Sequence, residues 1–153
     1  MRVFVLCALA LVSAIPLSGQ GRPLRVRGVR SLTFGVVLPG VPRHVPRTDP
    51  VGSGEFDVRG QKFSTVLLQF LLPPSLTGPG GAAMPVSFGA NDAGYSVTGA
   101  IGAQIGFDPT VGGTGVLAKN GQGTVFLGGT ARPATGQAAG GYTGTIVLIV
   151  TIL

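Results

Sequence analysis

Few side chains of this sequence could carry out acid–base or nucleophilic chemistry. His44 is the only histidine, and it lies in a proline-rich stretch, where a solvated loop residue is the simplest interpretation. The acidic residues are Asp49, Glu55, Asp57, Asp92 and Asp108. Hydrolysis or proton transfer needs a base beside a nucleophile, or two paired carboxylates, and the scattered spacing predicts neither. We therefore expect a protein that is not an enzyme.

The sequence also lacks the motifs of metal and cofactor sites. Catalytic zinc usually takes three protein ligands, whereas this chain has one histidine and one cysteine, Cys7. Asp49, Glu55 and Asp57 lack the regular spacing of a calcium loop. The glycine clusters do not match a dinucleotide or phosphate loop and are predicted to be turns. We expect no metal and no cofactor.

Residues 1–20 have the layout of a secretory signal peptide. Arg2 precedes an apolar run over residues 3–15, which is shorter than the roughly 20 residues of a bilayer span, and a small, turn-prone stretch follows. Cleavage could follow Ala14 or fall near residues 19–21, where small residues recur but Leu17 fits less well, so the site stays open. We expect an exported chain, periplasmic, at the cell surface or extracellular, with no cysteine and no transmembrane span once this segment is removed.

A cluster of arginines follows at once, and we treat residues 21–30 as a basic N-terminal arm. The cations are Arg22, Arg25, Arg27 and Arg30, in a chain whose formal net charge is +6. Such a cluster can bind anionic glycans or lipid headgroups, or it can be a solvated arm. No aromatic residue lies among the arginines to stack on bases, so nucleic acid is not an expected partner.

The rest of the chain reads as short strands joined by turns. Hydrophobic residues make up 44% of the sequence, in short blocks separated by many of the 27 glycines and 12 prolines. Strands are predicted over residues 21–30 (edge-type), 31–38, 55–59, 84–88, 123–130 and 142–153, with a loop over 39–54. Residues 62–72 could be a buried strand or a buried helix, and the strand is favoured. We expect about seven to nine short strands in an all-β sandwich over residues 31–153.

The last predicted strand is long and apolar. Its alternation puts one set of side chains on a shared face: Tyr142, Ile146, Leu148, Val150 and Ile152. The opposite face is also largely apolar beyond Thr145. An uncovered edge of such a strand recruits another strand. Either the chain's own N-terminal strand pairs with it, or a strand from a second molecule does.

Several short motifs resemble a family of exported bacterial domains of unknown function, itself similar to spore coat protein U domains and fimbrial major subunits. The motifs are Leu32-Thr33-Phe34-Gly35 with Pro39-Gly40, then Phe126-Leu127-Gly128-Gly129-Thr130, then Gly141-Tyr142-Thr143-Gly144-Thr145. The resemblance covers most of residues 31–153. It implies an immunoglobulin-like sandwich, export, and assembly into a surface fibre through donated strands.

Two functions follow as expectations. The first is a secreted or cell-surface structural subunit, fimbria-like or coat-like, that pairs with itself or related subunits by strand addition along residues 142–153. The second is a monomeric module that binds anionic glycans or lipid headgroups through the basic arm. Ionic strength separates them, because charge-driven binding weakens with salt and strand pairing does not.

Overall fold

The computed structural model describes residues 21–153, so the predicted signal peptide lies outside the described residues. This part of the chain forms twelve strands and one short 3₁₀ helix, Pro79–Gly81. The strands are β1 (Arg25–Arg30), β2 (Arg43–Val45), β3 (Gly54–Arg59), β4 (Thr65–Leu71), β5 (Ser75–Thr77), β6 (Ala83–Ser87), β7 (Ala93–Ser96), β8 (Ile105–Phe107), β9 (Gly113–Val116), β10 (Gln122–Leu127), β11 (Gly129–Ala131) and β12 (Val147–Ile152). The count exceeds the expected one because several strands have only three residues.

The strands form three antiparallel sheets, ordered β1-β3-β10-β7-β8, β2-β11-β6-β5 and β12-β4-β9. The main core lies between the five-stranded and the three-stranded sheet. Its buried residues are Val58, Val66, Leu68, Tyr95, Leu117, Val125 and Leu148. Along β4 and β12 the core side chains alternate with more exposed ones, as period-2 patterning requires, whereas β7 and the end of β10 are buried on both faces. The predicted all-β sandwich is therefore confirmed.

In the glycine-rich middle of the chain, an aromatic ring packs directly against the backbone of glycines. A Cβ at Gly115 or Gly123 would lie within 3 Å of the Tyr95 ring, so the absence of a side chain there makes room for it. The Tyr95 hydroxyl donates a hydrogen bond of 2.7 Å to the carbonyl of Val116, and burial raises the pKa of Tyr95. Tyr95 thus fastens the five-stranded sheet to β9 of the three-stranded sheet.

A smaller cluster supports the four-stranded sheet. Met84, Val86 and Ala131 are buried there, with Phe34 and Tyr142 packed against them. At Gly128 the chain passes from β10 of the five-stranded sheet to β11 of the four-stranded sheet. A Cβ at Gly128 would clash with the carbonyl oxygen of Val45, so the absence of a side chain lets the two backbones approach closely.

The predicted strand over residues 31–38 is wrong. Residues 31–42 form no strand: Gly35 has φ +66°, and the Thr33 amide donates to the Gly52 carbonyl in a loop. Val36 is 89% exposed. Because the backbone bonds of this segment go to loops, its β-branched residues have no sheet to join.

The ambiguous segment 62–72 contains β4, which confirms the strand. Val66 and Leu68 are fully buried on one face, whereas Gln69 on the other face is exposed. The predicted proline-rich loop over 39–54 is largely correct, but it contains the three-residue β2 at a sheet edge. An edge position tolerates the prolines that flank β2.

Candidate functional site

One edge of β12 carries no strand within residues 21–153. Its other edge pairs with β4 in an unbroken register from Val147↔Leu71 to Ile152↔Val66. The chain's first strand, β1, pairs with β3 in a different sheet and does not cover β12. We call the side of β12 that faces away from β4 the open edge.

The backbone groups on the open edge follow from the register. The Leu153 amide donates to the Thr65 carbonyl across β4. Because successive amides of an antiparallel strand alternate in direction, those of Leu148, Val150 and Ile152 point to the open edge. The open edge therefore presents donors and acceptors that another strand could satisfy.

The side chains of β12 leave this edge unprotected. Leu148 is buried and Val150 half-buried, while Ile149 is 42% and Ile152 45% exposed. The strand contains no charged residue, no proline and no bulge. Natural sheets protect their edges with charges, prolines and bulges, and β12 has none of these.

The strand predicted over residues 142–153 is half as long as expected, because β12 has six residues. The five candidate residues of that prediction therefore do not share one strand face. Tyr142 packs in the smaller cluster, where its hydroxyl donates to the Ala138 carbonyl (2.7 Å) and accepts from the Gln137 amide nitrogen (2.7 Å). Ile146 is half-buried ahead of β12. Only Leu148, Val150 and Ile152 belong to β12. The pairing with β4 starts only at Val147, opposite the last residue of β4, and Thr143 pairs instead with Thr77 of β5.

The four arginines of the basic arm lie in different settings. Residues 25–30 form β1, the edge strand of the five-stranded sheet. Arg30 makes an ion pair of 3.0 Å with Glu55 and donates to the Ser53 carbonyl (2.7 Å) and hydroxyl (3.0 Å). Arg22 donates to the Asn120 carbonyl. Arg25 and Arg27 are exposed. Arg30 is thus engaged in holding β1, while Arg25 and Arg27 remain accessible.

The register adds cations that the sequence pattern does not show. Arg25 lies directly opposite Arg59 of β3, and Arg59 lies opposite Gln122 of β10. Like charges directly opposite in a sheet are destabilising. Lys62 and Lys119 lie in turns at the same end of this sheet, and both are exposed. Only strand pairing unites these residues, so no local signal could have found them.

The acidic residues are engaged elsewhere. Backbone amides of Gly52 and Val51 bind the Asp49 carboxylate and lower its pKa, and the hydroxyl and amide of Thr110 do the same for Asp108. The Asp92 carboxylate accepts from the Gly89 amide. These bonds are turn contacts, as the flanking glycine and proline residues predict. Within residues 21–153, no three acidic, histidine or cysteine side chains approach closely enough to hold a metal ion.

Two apolar grooves open on the surface of the described residues. One, of about 760 Å³, lies between residues 31–39 and the smaller cluster. The other, of about 550 Å³, lies beside β8 and β9, with Phe63 and Lys119 in its lining. His44 is in neither lining; it is exposed on β2 and hydrogen-bonded to the Thr130 hydroxyl (3.0 Å).

Comparison with known proteins returns no matching family model and no matching curated protein. The resemblance to spore coat protein U and fimbrial domains therefore stays a prediction. In the part of the chain that the structure describes, no helix has the length and apolar character to cross a bilayer.

Proposed function

We propose that this chain is an exported structural subunit that associates by strand addition at the open edge of β12. The observation that carries the proposal is an uncharged and partly apolar strand edge that pairs with no strand of residues 21–153, on an otherwise well-packed sandwich. The proposal assigns no catalysis and no cofactor to the chain. Export rests on the signal-like sequence of residues 1–20.

The partner strand in this proposal is β12 of a second copy. Donation of the arm over residues 21–30 is disfavoured, because β1 already pairs along β3. Strand β9, at the far side of the same sheet, has four residues, two of them glycine. Two copies of β12 match in length, and their antiparallel pairing about a two-fold axis closes a dimer. Pairing of β12 with β9 would instead give open chains of subunits.

A proline on the open edge tests the proposal. Ile152→Pro removes an amide that points to the open edge and leaves the amides that bond to β4 in place. We expect the unmodified protein to gain mass with concentration in light scattering and the variant to stay monomeric. Ile152→Thr keeps the amide and is the matched control. Ile149→Lys, which adds a charge to the strand, is a second way to block pairing.

The same measurement of native mass can also contradict the proposal. A protein that stays monomeric across the concentration series has no strand addition at this edge. Association of Ile152→Pro equal to that of Ile152→Thr, with unchanged circular dichroism, would place the contact elsewhere.

A further inference from the structure

Five exposed cations gather at one end of the five-stranded sheet, which we call the basic end: Arg22, Arg25, Arg59, Lys62 and Lys119. Arg25 and Arg59 are cross-strand neighbours. Asp57 is the one carboxylate bonded to any of these cations within residues 21–153, through Arg59 at 2.6 Å. The basic end therefore keeps a strong positive charge.

Two turns form the tip of the basic end. Residues 61–64 make a turn closed by the Ser64 amide on the Gln61 carbonyl, and residues 118–121 make another, closed by the Gly121 amide on the Ala118 carbonyl. The turns lie side by side, because the Gly60 amide donates to Gly121 and the Phe63 amide donates to Leu117. Each turn carries a lysine at its centre, Lys62 in one and Lys119 in the other.

Phe63 sits at this tip in a conformation that its own packing does not explain. Its φ is +62°, and among the described residues other than glycine it alone has a positive φ. Glycine would adopt this turn position without strain. The Phe63 side chain is nevertheless 65% exposed, so core burial does not offset the strain. Strained residues of this kind are characteristic of functional sites.

The remaining acidic side chains lie away from the basic end; Asp49 is bound by turn amides in the loop before β3. Glu55 is near the start of β3, whereas Arg59 ends it; Asp92 precedes β7 and Asp108 follows β8, at the end of the sheet where Ala93, Phe107 and Leu127 pair. Turn amides or Arg30 already bind these acids. A second copy of the chain thus offers the basic end no free acidic surface, and the complementary partner is an external polyanion.

We propose that the basic end docks on an anionic phospholipid surface, with the cations facing the headgroups and the Phe63 ring inserted at the interface. An exposed aromatic ring next to basic side chains suits the boundary between headgroups and acyl chains. A soluble polyanion would use the cations but gain nothing from the ring. Phe63 therefore separates a membrane from a polysaccharide. The proposal is independent of strand addition at β12.

Co-sedimentation with lipid vesicles tests this inference. Every variant is purified with the same N-terminal residue, so that the variants differ only in the substituted side chains. The probes are phosphatidylcholine vesicles and vesicles of phosphatidylcholine with phosphatidylglycerol in equal parts. We expect binding only to the anionic vesicles, with a steep loss at high salt. Arg25→Gln with Lys119→Gln should weaken it more than about tenfold, since each surface cation contributes about fivefold. Arg43→Gln in β2 with Arg132→Gln just after β11 removes the same charge and should have little effect.

Substitution of Phe63 completes the test. Phe63→Gly should weaken vesicle binding and raise the midpoint of thermal unfolding, because it removes the strain together with the ring. Binding to a sulfated polysaccharide should not change in this variant. If Phe63→Gly binds vesicles as well as the unmodified protein, or if only the polysaccharide is bound, the membrane assignment is wrong. Equal losses from the two charge-removal pairs would show that net charge, and not the basic end, determines binding.

Discussion

Strands β1 and β12 are both sheet edges, but they protect those edges in different ways. β1 carries three arginines and a register shift between Gly28 and Arg30. Charges and bulges of this kind prevent a further strand from pairing. β12 carries neither, and its open edge is flanked by exposed Ile149 and Ile152. The comparison indicates that the molecule blocks sheet extension at one edge and permits it at the other.

The two strands are also held to the sandwich by different forces. On the inner face of β1, Val26 is 39% exposed and Gly28 has no side chain. Leu24, just before the strand, packs against the main core, and the polar contacts of Arg30 hold the other end. On β12, Leu148 is buried in the main core and Val150 packs against it. Hydrophobic burial within the strand therefore anchors the open edge, whereas the blocked edge depends on Leu24 before the strand and on polar bonding at its end.

Truncation of Leu148 should show the largest difference between the two edges. Leu148→Ala removes a buried side chain and leaves a cavity, at a cost of about 3 kcal/mol in the free energy of unfolding. Val26→Ala, on the inner face of β1, should cost under about 1 kcal/mol, because that side chain is already partly in water. Urea denaturation of both variants measures the two values. Similar costs would contradict the difference in anchoring.

Removal of Arg30 should have the next largest effect. Arg30→Ala breaks the ion pair with Glu55 and leaves the buried Ser53 carbonyl without this donor, which should cost about 2 kcal/mol. Arg27→Ala is the matched control on the same strand: Arg27 is exposed, and its loss should cost less than about 0.5 kcal/mol. Chemical denaturation checks both. If Arg27→Ala is as costly as Arg30→Ala, general charge and not the Arg30 contacts holds β1.

The sequence predicted β12 and β1 to different extents, for physical reasons. Alternation is local, and it correctly placed Leu148 and Val150 on an inward face. The start of the strand was not local: it depends on where β4 ends, at Leu71, and on the pairing of Thr143 with Thr77 of β5. Likewise, the arginine cluster was visible, but its meeting with Arg59 depends on pairing between β1 and β3.

Local propensity also failed where no partner strand exists. Residues 31–38 are as β-prone as β4, yet only β4 lies between two strands that can pair with it. In contrast, the short strands β2, β5, β8 and β11 have three residues each, too few for a periodic pattern to show. The class of fold was therefore predictable from composition and patterning, while the sheet order was not.

Acidification should destabilise the pairing of β1 before it destabilises that of β12. This is the smallest of the expected effects. The lowered pKa of Asp49 means that its carboxylate form is stabilised in the folded state. This contribution is present above the ordinary value of 3.8 and is lost as the pH falls through the folded-state pKa below it. The Asp49 carbonyl also accepts from the Ser53 hydroxyl, and Ser53 in turn binds Arg30. β12 contains no titratable side chain.

Hydrogen-exchange protection factors, measured above pH 3.8 and again below the lowered pKa of Asp49, resolve the two edges. We expect β1 amides to lose protection on acidification while β12 amides keep theirs. In Asp49→Asn, whose side chain does not titrate, the pH dependence at β1 should shrink, although Asp108 still titrates beside β8. Equal loss of protection at β1 and β12 would mean that acid acts on the whole sandwich. Selective loss would show that the blocked edge depends on a charged loop and the open edge on packing alone.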